Sequence, residues 1–228
     1  MLRFGNFRVV RINAANSIFF KTGHPLMPED VLVIENSLIQ SYIPGKNACL
    51  LGDPSGHIVN TIIENQLFME RDEAEYNFNH KQVIPYVTIR NGNDYLLLKR
   101  TKKQTERRLH DKYSLGIGGH INPVSPDSED NIIMQGLYRE LNEEIFLNEP
   151  GELHFIGIIH DESNSVSRVH LGLLYVLDVL SSGFEVLEDD KMTAEWISRE
   201  KLSGYYPSFE TWSQIVYDYY IIENKILT

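Results

Sequence analysis

The run Arg139-Glu140-Leu141-Asn142-Glu143-Glu144 places three carboxylates and a guanidinium within two turns of what reads as a helix. Glu140 and Glu144 stand one turn apart with Glu143 between them, so the spacing predicts a shared face. Like charges on one face repel and weaken a helix. A divalent cation lying on them would remove that cost, and Mg²⁺ or Mn²⁺ takes oxygen ligands of this kind. Ile133, Leu137, Leu141 and Ile145 recur every fourth position and define another face, one that can bury.

An acidic helix alone is ordinarily a solvated surface. The segment upstream changes that reading. Tyr113-Ser114-Leu115-Gly116-Ile117-Gly118-Gly119-His120-Ile121 is a short extended run broken by paired glycines. Glycine lets backbone amides and carbonyls come close to a ligand. A glycine-ended strand, a loop and then a helix bearing R-E-x-x-E-E is far more specific than either part alone.

Together these residues resemble the box of the Nudix hydrolase family, G-x5-E-x7-R-E-U-x-E-E-x-G-U, where U is a bulky aliphatic residue. Gly119 matches the opening glycine, Arg139 to Glu144 match the centre without a gap, and Leu147 fills the closing aliphatic position. There are two departures. The loop from Asn122 to Asn131 is longer than the pattern, which leaves Glu129 or Asp130 as substitutes for the first glutamate. Phe146 replaces the later glycine, so a left-handed turn after the helix would carry a bulky side chain, with Asn148 as the alternative.

The resemblance implies a divalent-metal-dependent hydrolase of a diphosphate linkage in a nucleoside-diphosphate-type substrate. Glu140, Glu143, Glu144 and the Gly118 carbonyl would hold Mg²⁺ or Mn²⁺, and Arg139 would orient Glu140. Either Glu140 or one further acid downstream would act as base; Glu188 is the candidate, with Asp189 next. Arg100, Lys102 and Lys103 belong to a basic run, residues 99–108, just ahead of the glycine strand. That run either holds substrate phosphates or is an exposed, charge-balanced loop. His120 is a candidate substrate contact because of its address. A Nudix-like module that binds nucleotide with little or no turnover is the main alternative. An isoprenoid-diphosphate isomerase would need a reactive cysteine near the site, and Cys49 lies in a segment without assignment.

The elements that position these residues read as an α/β fold. Val83–Ile89 and Tyr95–Leu98 flank Asn91-Gly92-Asn93-Asp94, a hairpin signal. Leu153–Ile159 and Val169–Leu177 are further strands. Ser208 is placed as the N-cap of a last helix with a stripe of Phe209, Trp212, Val216, Tyr219 and Ile222. By resemblance, which spans about Val83 to Leu202, the architecture is an α/β/α sandwich with a mixed central sheet. A boundary near His80 separates a Nudix hydrolase domain, residues 81–228, from residues 1–80. The latter are an N-terminal α+β extension or small subdomain, or extra strands of the main sheet.

Composition sets outer limits. The 228 residues carry a net charge of −11 and are 42% hydrophobic. An acidic chain disfavours nucleic-acid polymers as partners; the resemblance implies instead a small phosphorylated, nucleotide-derived substrate. One cysteine excludes an internal disulfide framework. No signal-peptide pattern and no bilayer-length apolar run is present, so a cytoplasmic protein without a membrane partner is expected. None of the histidines has zinc-like spacing, which argues against a structural zinc site. The N-terminal segment is a candidate homodimer contact.

Overall fold

The computed structural model describes residues 29–43, 45–100, 112–123, 130–187, 192–223 and 226–227. In the N-terminal segment, short apolar runs alternate with short helices. These are β1 (Asp30–Glu35), α1 (Asn36–Ile39), β2 (Ala48–Leu51), α2 (His57–Glu64), β3 (Leu67–Glu70) and α3 (Arg71–Ala74). A long hairpin follows, β4 (His80–Asn91) and β5 (Asp94–Arg100), and Gly92 at its turn has φ +59°, a conformation glycine adopts without steric penalty. The glycine strand is split into β6 (Tyr113–Ser114) and β7 (Ile117–Gly118), and the acidic helix is α4 (Ile132–Glu144). Next come β8 (Ile145–Leu147), β9 (Pro150–Asp161), β10 (His170–Val179), β11 (Phe184–Val186), β12 (Met192–Ser198) and α5 (Thr211–Ile215).

The main sheet runs β12-β5-β4-β10-β9-β2. Its β4–β10 pair is parallel and the other pairs along that path are antiparallel, so the sheet is mixed. β4 is the spine. On one edge it pairs with β10 over most of its length, His170 opposite Gln82 through Asp178 opposite Arg90. On the other edge it meets three strands in turn: β1 at residues 80–82, β7 at Tyr86 and Val87, and β5 at Arg90 and Asn91. Strands of the N-terminal segment are therefore hydrogen-bonded into the same sheet as the glycine strand.

The period of two sorts the sheet's side chains onto opposite faces. Val83, Val87, Leu96, Leu98, Leu171, Leu173 and Ile158 pack with Ile133, Leu137 and Leu141 of α4 and with Ile58 and Ile62 of α2. Tyr86, Tyr95, Leu97, Leu174 and Ile159 point the other way, against Phe209, Ile215, Val216 and Ile221. Helices cover both faces, the α/β architecture with a mixed sheet expected from sequence. Among the described residues, no helix is long and apolar enough to cross a membrane.

The last helix departs from its expectation. Ser208 ends a 3₁₀ turn, and the N-cap is Glu210, whose carboxylate accepts from the N–H groups of Trp212 and Ser213. After Ile215 the helix widens to i→i+5 bonding over Val216–Ile222. The buried face then returns five residues after Val216, at Ile221, and Ile222 is exposed. A stripe counted on a 3.6-residue period misses that shift.

Candidate active site

The glycine strand is held from below by a buried polar cluster. The Tyr86 hydroxyl donates to Glu210 Oε1 at 2.7 Å and lies 2.9 Å from Ser213 Oγ and 3.0 Å from Ser114 Oγ. Ser213 Oγ donates to Glu210 at 2.6 Å and accepts from the Leu115 N–H at 2.7 Å. Ser114 Oγ donates to the Gly116 carbonyl at 2.8 Å. Burial, and then the neighbouring Glu210 charge, push the Tyr86 hydroxyl well above its ordinary pKa, so it stays a donor. Glycine at 116 follows from this packing, because a Cβ there would overlap the Tyr86 ring. Glu210→Ala removes the cap of α5 and strips partners from Tyr86 and Ser213. We expect it to lower unfolding free energy by about 2–4 kcal/mol in urea titrations.

Asn131 opens the acidic helix by accepting the Met134 N–H at 3.1 Å. Arg139 then ties this helix to the glycine strand. Its Nη2 lies 2.7 Å from Glu140 Oε1 and donates to the His120 carbonyl, and its Nη1 lies 3.2 Å from Glu143. The Glu140 side chain is 15% exposed, and its carboxylate sits directly against Gly119. Burial raises the Glu140 pKa; repulsion by Glu143 and Glu29 adds to the rise and Arg139 opposes it. Glu143 is 55% exposed. Glu144 is 8% exposed, three residues beyond Leu141, and so follows the buried stripe of Leu137 and Leu141. Glu140 and Glu144, one turn apart, are thus both largely withdrawn from solvent, and Glu143 is the most exposed of the three.

His120 follows the paired glycines, but its ring faces inward. Nε2 is 2.7 Å from Gln82 Oε1, and the ring lies beside that of His170. Burial, with Arg71, His170 and Arg139 nearby, pushes its pKa down to about 3, against the pull of Glu29, so the ring is neutral at ordinary pH. Glu29 had no signal in the sequence. It is held by Arg71 at 2.8 Å and Asn122 at 3.0 Å, and it is the added negative charge felt by Glu140. Lys81 was also missed. It is 1% exposed, donates to the Arg168 carbonyl at 2.8 Å and lies 3.6 Å from Glu162. With Lys46, His80 and His160 it lines a polar cleft of about 770 Å³ at the start of β4. Arg100 closes β5, opposite Met192. Lys102, Lys103, Glu129, Glu188 and Asp189 lie outside the described residues.

No family model matches the chain. Protein YmaB of Bacillus subtilis (strain 168) is 37% identical over 156 residues, 66% of this chain and 76% of YmaB. The crystal structure of Tm1382, a protein assigned as a Nudix hydrolase, aligns with a TM-score of 0.70 at 34% identity. That alignment covers 85% of this chain and 98% of Tm1382. This chain belongs to the Nudix hydrolase family. As a member of that family it is a Nudix pyrophosphohydrolase.

The two departures of its Nudix box now have a physical form. Residues 132–138 separate Asn131 from Arg139, the x7 spacing of the box, so the slot of the first glutamate is taken by the helix cap. The left-handed turn after the Nudix helix is replaced by extended backbone. Ile145 has φ −146° and ψ 140°, and β8 begins there. Phe146, 42% exposed, lies opposite Glu185 of β11 and meets no conformational barrier. Glycine is unnecessary where the chain leaves the helix as a strand.

Proposed function

We propose that this chain uses Mg²⁺ or Mn²⁺ to hydrolyse the diphosphate linkage of a nucleoside-diphosphate-type substrate, releasing two phosphorylated products. Residues 81–228 are the hydrolase domain in this reading, and residues 1–80 are an added segment. The reading is carried by the placement of Glu140: a largely buried carboxylate packed against Gly119 and clamped by Arg139. A hard divalent ion suits that donor set of carboxylates and a backbone carbonyl, and it relieves the burial that raises the Glu140 pKa. Glu140, Glu143, Glu144 and the Gly118 carbonyl would hold it. When bound, such an ion neutralises phosphate charge and acidifies water.

The chain's own residues do the rest. Arg139 spans Glu140, Glu143 and the His120 carbonyl, so it fixes the helix against the glycine strand and sets where the Glu140 carboxylate points. It is a positioning residue. Glu140 or Glu188 accepts the proton of the attacking water. Arg100, Lys102 and Lys103 neutralise phosphate oxygens that the ion does not reach.

The test is incubation of the full chain with dinucleotides, sugar nucleotides and nucleoside triphosphates, with and without Mg²⁺, and the phosphorylated products resolved. Ion-dependent release of two phosphorylated fragments is expected from at least one class. Nucleotide binding without release would return the chain to a binding module.

A further inference from the structure

Glu75, His120 and His170 arrive from three separate segments: the residue after α3, the residue after the paired glycines and the first residue of β10. One ligand atom from each lies within 4.8 Å of the others. Among the described residues this is the set of His, Cys, Asp and Glu side chains that gathers so closely. The two imidazole rings stand 5.6 Å apart, centre to centre.

Both rings are oriented by a second layer of contacts. His120 Nε2 is 2.7 Å from Gln82 Oε1, and His170 Nδ1 is 2.7 Å from the Val166 carbonyl. The Val166 carbonyl can only accept, which puts a His170 proton on Nδ1, and with its oxygen toward the ring Gln82 accepts from His120 Nε2 in the same way. A ring N–H given to a carbonyl, with the opposite nitrogen presented elsewhere, is how ligating histidines are held. Gln82 and His170 are direct partners in the parallel β4–β10 pair, so the residue that orients one imidazole lies beside the other. The donor set also differs from that of the box. Two imidazoles and one carboxylate suit ions such as Zn²⁺ and Co²⁺, whereas carboxylates with carbonyl oxygens suit Mg²⁺.

We propose that Glu75, His120 and His170 bind one divalent ion of the Zn²⁺/Co²⁺ class, at a site separate from the box carboxylates. At about 2.1 Å from each ligand, the ion draws the three atoms together by roughly an ångström, a distance side-chain rotation covers. Three protein ligands leave a position for water. The ion staples the N-terminal segment, through Glu75, to β10 and to the backbone that Arg139 grips at the His120 carbonyl. It is a clamp on the frame of the active site and takes no part in proton transfer.

Metal-free full-length protein, kept in excess Mg²⁺ to occupy the box, is titrated with Co²⁺ and followed by visible absorption. Metal content is counted by mass spectrometry after dialysis. One Co²⁺ per chain with ligand-field bands, displaced by one Zn²⁺, is the expected result. His170→Gln and Glu75→Gln, each checked for folding by circular dichroism, should weaken Co²⁺ binding at least about 100-fold. Glu143→Gln should leave it within about twofold. Absence of the bands in the unmodified protein overturns the proposal. So does their loss in Glu143→Gln with retention in His170→Gln, which would place the ion in the box. These readouts are independent of turnover, so a failure here leaves the hydrolase reading standing, and the converse holds.

Discussion

Glu140→Gln should leave the metal-free protein folded and abolish most of its ion-dependent turnover. Glutamine keeps the size of the side chain and an oxygen that Arg139 can reach, 2.7 Å away in the parent. It removes a charge whose burial, beside Glu143 and Glu29, raises its pKa. The unfolding free energy in a chelator should therefore shift by less than about 1 kcal/mol. The chemical loss is much larger, because the substitution removes both an ion ligand and a candidate base. A drop in kcat of about 100- to 10,000-fold is expected. Thermal unfolding with and without Mg²⁺ supplies an independent check. The parent gains stability from an ion that binds only the folded chain, and the variant should gain much less. Turnover within threefold of the parent would remove Glu140 from the site. Glu144→Gln, tested beside it, separates the roles: a loss confined to Glu140→Gln would put the inward-turned Glu144 in the core alone.

Local signals were readable in this chain, and long-range gathering was not. β4, β5, β9 and β10 alternate between two covered faces, so apolar runs with clear turn residues marked them. The hairpin at Asn91–Asp94 carried its own turn chemistry in Gly92. The acidic helix was legible because Ile133, Leu137 and Leu141 kept a strict spacing. Its three carboxylates differ in burial, which spacing on one face does not reveal. Glu144 is polar, yet the same spacing that buries Leu137 and Leu141 carries it inward.

The misplaced helix start has a similar cause. Ser208 follows a proline and looks like a cap, but Glu210 reaches two backbone N–H groups and the buried Tyr86 hydroxyl as well. That third contact comes from a strand more than a hundred residues away, and no local rule could reveal it. The same holds for Glu75, His120 and His170. Spacing along the chain says nothing of their proximity, whereas sheet register brings together residues that lie far apart in sequence. Only the address of His120, next to the glycines, was visible beforehand.

Gly119→Ala tests whether the glycine serves space or backbone conformation. Among the described glycines, positive φ occurs at Gly56 and Gly92, so Gly119 is not required for a left-handed turn. The three nearest atoms to a Cβ built at residue 119 are the carboxylate carbon and both oxygens of Glu140, all closer than real contacts allow. Alanine must therefore push that carboxylate aside or move the strand. The expected cost is about 1–3 kcal/mol of stability, with at least a 100-fold loss of kcat/KM from misplacing a catalytic group by an ångström. The double variant Gly119→Ala/Glu140→Ala makes the argument decisive. With the Glu140 side chain gone, the added methyl has room, so the stability penalty of Gly119→Ala should shrink by more than 1 kcal/mol in that background. Activity should stay lost. If the penalty is the same with and without Glu140, the methyl is clashing with backbone instead, and the glycine and the carboxylate are not parts of one site.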